Sequence, residues 1–155
     1  VRGAGRTEGI VMSIINLTQH PATHEQVSAG VFDLPPGLRG DLVAMLTFDV
    51  LPGADEVRDR AHDIAVMAAM LASGEDRAEE VGDEVAENDL GAFALSAMIG
   101  GAPYLMAPLE IALREQGIKP VYAFSVREST EQVQQDGSVR KVNTFRHAGF
   151  VPAVE

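Results

Sequence analysis

Two short apolar runs constrain the fold of this chain more than any other feature. Ser13-Ile14-Ile15-Asn16-Leu17 carries a β-branched pair, and Phe93-Ala94-Leu95-Ser96-Ala97-Met98-Ile99 is apolar nearly throughout. Both are too short for an independent helix and fit strands, the second a central strand buried on both faces. Helical spacing separates them. Pro35-Pro36 opens a segment running to about Leu46, with a stripe of Leu38, Leu42, Val43 and Leu46. Proline is tolerated there because the N–H it lacks would be unpaired in a first turn. Val57, Ala61, Ile64, Ala65, Ala68 and Leu71 mark a second helix over about 54–72. A third runs from Gly100-Gly101-Ala102-Pro103 to about Gln116, with Gly117 and Pro120 closing it. Pro108 either kinks this helix or sits in the first turn of a later start.

Shorter signals complete the pattern. Thr23 with Gln26 predicts a capping box on a short helix near Glu25, stopped by Gly30. Val31–Leu34 and Val121–Val126 read as strands. Asp136-Gly137 between Ser129–Gln134 and Ser138–Phe145 predicts a hairpin. The order β–α–β–α–α–β–α–β–β–β predicts an α/β fold. It is expected to be Rossmann-like and three-layered, with a mostly parallel sheet and a C-terminal antiparallel hairpin.

At 155 residues the chain is sized for one domain. Residues 12–155 are expected to form it. Residues 1–11, with three glycines and no periodicity, read as a disordered leader. The net charge of −11 is unevenly spread. Residues 54–90 hold 12 acidic and 3 basic side chains, whereas residues 91–155 balance at 6 of each. The stretch at about 73–90 reads as an acidic surface insert. Such a balance opposes binding of long nucleic acid, which rests on phosphate neutralisation. With no cysteine, disulfides and thiolate chemistry are excluded. No apolar run approaches the roughly 20 residues that span a bilayer, and no signal peptide is visible. No membrane partner and a cytoplasmic location are the expectations.

Ligands of open α/β sheets bind beyond the carboxyl ends of the strands, where the strand order reverses. Three segments are expected there: Thr18–His24, Gly100–Tyr104 and Ser125–Ser129. They bring Thr18, Gln19, Gly100, Gly101, Ala102, Tyr104 and Ser125 to a ligand. Gly100-Gly101 before a helix allows close backbone approach of an anion, or is simply a tight turn. It matches neither GxGxxG nor a P-loop. His20 and His24 stand four apart, but Pro21 intervenes and no glutamate lies between them, so a zinc pair is disfavoured. No metal and no cofactor is expected. His20 fits a proton-moving or phosphate-donating role, against a loop histidine with none. Arg127 fits a phosphate clamp after a strand, against an ion pair with Glu128 or Glu131. Lys141 and Arg146 would face opposite sides of a strand. There is no G-x-S-x-G elbow for a serine hydrolase.

Together these stretches resemble a known family. They are Ile14–Gln26, the Asp33-Leu34-Pro35 step, Gly100-Gly101, Gly117–Ala123, Ser125–Ser129, Asp136–Lys141 and Phe145–Phe150. The pattern resembles the small Rossmann-like CRISPR-associated ring nucleases of type III systems, over most of residues 13–151 apart from the acidic insert. The resemblance implies a homodimer that binds cyclic oligoadenylate across its two-fold axis. It implies linearisation without metal, by attack of the ligand's own 2′-hydroxyl. His20 and Arg127 would then be catalytic. Ala-Pro-Tyr after Gly101 departs from a hydroxyl- or lysine-rich turn, which leaves phosphate contacts there to backbone N–H groups. The alternative is a non-catalytic nucleotide-sensing or protein-interaction domain of a phage or mobile element.

Overall fold

The computed structural model describes residues 13–73 and 95–154. The expected leader over 1–11, and the expected insert apart from its first residue, lie outside them. Five strands form one sheet in the order β2-β1-β3-β4-β5. They are β1 (Ser13–Leu17), β2 (Val31–Phe32), β3 (Leu95–Ile99), β4 (Lys119–Val133) and β5 (Val139–Pro152). The first four run parallel, and β5 pairs antiparallel with β4. Among the described residues four helices connect them: α1 (His24–Ser28), α2 (Pro36–Leu46), α3 (Ala54–Ser73) and α4 (Pro103–Glu115). The mixed α/β expectation holds, with a mostly parallel sheet and an antiparallel end.

Alternation along the strands sorts side chains to two faces. Ile15, Leu17, Ala97 and Ile99 share one large core cluster with Leu42 and Leu46 of α2, Ile64 and Ala68 of α3, and Leu105, Leu109 and Leu113 of α4. Ile14, Val31, Met98 and Val121 form a smaller cluster on the opposite face, with Ala22 and Phe150 packed against it. The three long helices therefore lie on one side. The five-residue α1 touches β2 and β5, the strands at opposite edges. It lies across the other side, where Glu25 Oε1 accepts from the His147 N–H at 3.0 Å. Among the described residues the sheet carries one full helical layer, and only the five-residue α1 stands on its other face, short of the three layers expected. No described helix is long and apolar enough to cross a membrane.

Local chemistry accounts for most element ends. Thr23 Oγ1 accepts from Gln26 N, and Gln26 Oε1 accepts from Thr23 N, the reciprocal box that starts α1. Pro36 opens α2. Pro108 lies inside α4, which begins at Pro103, so the later start is not taken.

The C-terminal region departs from expectation. Val121–Val126 and Ser129–Gln134 are one continuous strand, because Arg127-Glu128 contains no breaker and β5 supplies a partner throughout. Pairing of β4 with β3 ends at Val121. Tyr122, Phe150 and His147 still lie against the body, and beyond the Ser125–His147 pair β4 and β5 project as a two-stranded arm of roughly 25 Å, at about 3.3 Å per residue. A register shift at Phe124/Ser125 marks the departure, as bulges bend and twist a strand pair. Gly137, at φ +89°, closes the arm's turn, where Asp136 Oδ1 accepts from Ser138 N and Oγ.

Candidate functional site

The chain leaves β1, adds β2 on one side, and returns to build β3 on the other. The strand order therefore reverses between β1 and β3, the position where open α/β sheets form a crevice. A cleft of about 540 Å³ lies there, within the usual range for small-molecule sites. Thr18, Gln19, His20, Gly100 and Gly101 all line it. Two segments eighty residues apart in sequence thus form its rims. A Cβ placed on Gly100 would lie 3.6 Å from Thr18 Cγ2, so a side chain there would close against the other rim. Pro21, Thr23, Gln26, Met98, Ile99, Tyr122 and Ala123 complete the lining. No lysine, arginine, aspartate or glutamate is among these residues.

Other expected site residues lie elsewhere. Ala102 is the N-cap of α4, one residue past the lining, and no side chain caps that helix. Tyr104 turns its ring to Phe48, edge-on at 5.2 Å, with the Arg60 guanidinium 4.2 Å over the other ring. Ser125 pairs with His147, just past the register shift. Arg127 lies mid-strand on the arm, opposite Phe145, rather than at a strand end. Glu128, one of its expected partners, bonds Arg146 at 2.9 Å instead. Lys141 and Arg146 pair with Glu131 and Val126, on opposite faces as expected.

A hydrogen-bonded frame around the buried Asn16, not visible in the sequence pattern, stands behind the Thr18–His20 rim. Asn16 is 0% exposed although polar. Its Nδ2 donates to Asp33 Oδ1 and to the His20 carbonyl, each at 2.8 Å. Its Oδ1 accepts from Thr18 N at 2.9 Å and Thr18 Oγ1 at 2.7 Å. Asp33 Oδ1 also accepts from Ala22 N at 3.0 Å. From α2, Arg39 Nη2 donates to the Gln19 carbonyl at 2.8 Å, and its Nη1 is buried with no partner among the described residues. The available signal was the single amide inside Ile-Ile-Asn-Leu, since a buried polar group needs partners.

Tyr122, which the sequence pattern marks only as a strand residue, lies on the cleft wall. Its hydroxyl bonds Glu110 Oε2 at 2.5 Å. Burial first, then the bond to Glu110 and that carboxylate's charge, push its pKa up to about 12, opposed by Arg114. The ordinary value is about 10, so between the two the folded chain holds a proton that the unfolded chain has released. This stabilisation is full below about pH 10 and is lost as pH rises toward about 12. Urea titrations across that window are expected to show stability falling with pH, less steeply in Tyr122→Phe. Equal slopes would remove Tyr122 as the cause.

Gly101 has φ +147°, a conformation that side chains avoid. Gly101→Ala is expected to cost about 1–3 kcal/mol, read as a lower urea midpoint. An unchanged midpoint would mean that the turn relaxes freely.

A family model described as "Uncharacterized protein MJ1673 family" matches residues 12–151. No curated protein and no solved structure matches the chain.

Proposed function

The chain belongs to the MJ1673 family, and we propose that its cleft binds and linearises a cyclic oligoadenylate, as a metal-independent ring nuclease of CRISPR-associated type. One observation carries the reading: the Thr18–His20 loop and the Gly100-Gly101 turn, both in the family resemblance, meet at one cleft at the switch point of the sheet. The reading takes the fold as Rossmann-like.

The chemistry asks little of side chains. The 2′-hydroxyl oxygen of one nucleotide bonds to the adjacent phosphorus, and the bond from that phosphorus to the 5′-oxygen breaks. The hydroxyl proton goes to a base, and the leaving 5′-oxygen takes one up. The products are a 2′,3′-cyclic phosphate and a 5′-hydroxyl. His20 is the imidazole on the cleft and serves the proton transfers. Main-chain N–H groups of the turn before α4 meet the phosphate, since the lining carries no lysine or arginine. The Tyr122 ring offers an apolar wall to a base.

Arg127 serves this site through a second copy. It is absent from its own cleft and sits on the arm, so in a homodimer the arm carries it to the partner's cleft. Arg127→Ala and His20→Ala are each expected to be impaired, and an exchanged mixture of the two to recover part of the activity. A mixture no better than its components would place Arg127 outside the site.

Calorimetric titration with cyclic tetra-adenylate, divalent ions chelated, tests the binding step. Saturation at one ring per pair of chains is expected. No heat and no displacement of a labelled ring would overturn the reading.

A further inference from the structure

We infer that the main-chain N–H of His20 is an anion donor of the cleft, set in place by Arg39, Asn16 and Asp33 as positioning residues. The inference rests on the reading of this cleft as a phosphodiester site, and extends it to a group that is not a side chain.

Every main-chain N–H of the rim needs an acceptor. Thr18 N is taken by Asn16 Oδ1, Ala22 N by Asp33 Oδ1, and Thr23 N by Gln26 Oε1. Residue 21 is proline and has none. Gln19 N and His20 N remain, with no acceptor among the described residues. Both residues line the cleft.

The direction of one of them is fixed. The chain has no cis peptide bond. In a trans, planar peptide the N–H points opposite to the carbonyl of the same unit. The Gln19 carbonyl is drawn to Arg39 Nη2 at 2.8 Å, so the His20 N–H of that unit points away from Arg39. The next carbonyl, that of His20, is held by Asn16 Nδ2 at 2.8 Å. Asn16 is itself oriented by Asp33. The peptide between Gln19 and His20 is therefore pinned on both sides. A pre-set donor needs no reorganisation when charge develops on a phosphate oxygen. The guanidinium also stands on the carbonyl end of that peptide, which polarises the N–H further.

Amide-resolved NMR of ¹⁵N-labelled protein tests this with two separate probes, cyclic tetra-adenylate and inorganic phosphate. The His20 amide proton is expected to move downfield, saturably, with either probe. His20→Ala keeps that N–H, and residue 20 should still respond. Arg39→Ala should shrink the response and weaken binding roughly tenfold, the scale of one hydrogen bond to a charged group. Asp33→Ala, at an exposed position, should do the same in part and speed hydrogen exchange at Ala22, while Asp33→Asn retains the acceptor and restores both. If the nucleotide binds and moves Gly101 while the residue 20 amide stays still, the inference fails and the site stands. If no nucleotide binds, the ring-nuclease reading fails. Phosphate then decides: a saturable shift at residue 20 upholds the donor, and none overturns it.

Discussion

His20→Ala is expected to slow linearisation of a cyclic oligoadenylate by about 10²-fold or more, the usual contribution of a positioned general acid or base. The expectation follows from position. His20 follows the strand end at Leu17 by three residues, is exposed, and lines the cleft at the sheet's switch point. Its side chain supports no core cluster, so the variant should melt with the parent. Ligand affinity should change less than the turnover rate, because the amide at residue 20 is retained. Single-turnover rates beside equilibrium binding separate the two effects. An unchanged rate would leave the imidazole without a role.

Asn16→Leu is expected to be the most damaging single change to the rim, at about 2–4 kcal/mol of folding stability. Leucine matches the volume but makes none of the four hydrogen bonds of the amide. The Thr18 N–H would lose its acceptor in a half-buried setting, and each such group costs about 1–3 kcal/mol. Total stability of a domain this size is typically only about 5–15 kcal/mol, so the loss should be plain in a urea titration. Activity should fall even where the variant remains folded, because the Thr18–His20 rim loses its support. A midpoint equal to the parent's would mean that the frame is ornamental.

Much of the architecture was legible because local chemistry and tertiary need agree. The apolar runs at Ser13–Leu17 and Leu95–Ile99 became adjacent parallel strands. Pro36 and the Thr23–Gln26 box mark helix starts where the structure has them. The arm has no signature in the sequence, for a physical reason. Strand ends are visible only where a breaker occurs, and Val126-Arg127-Glu128-Ser129 has none. Pairing with β5 then carries β4 past the point where β3 stops. The distribution of helices between the two faces is likewise a property of the assembled sheet, and no spacing in one segment reports it.

The candidate site divides along the same line. Thr18, Gln19, His20, Gly100 and Gly101 follow strand ends, so topology alone brings them together. Tyr104 and Arg127 failed to reach the cleft because one is turned to Phe48 and the other is carried off on the arm. Arg39 and Asp33 act on backbone atoms of distant residues, and such bonds leave no spacing in the sequence.

A ring nuclease must open its ring without metal, and a single incubation decides whether this protein does. Purified protein is mixed with cyclic tetra-adenylate and cyclic hexa-adenylate in EDTA, and the products are separated by chromatography. Linear fragments ending in 2′,3′-cyclic phosphate, formed at a rate that His20→Ala depresses, are the predicted result. Rings recovered intact after prolonged incubation at saturating protein would contradict it.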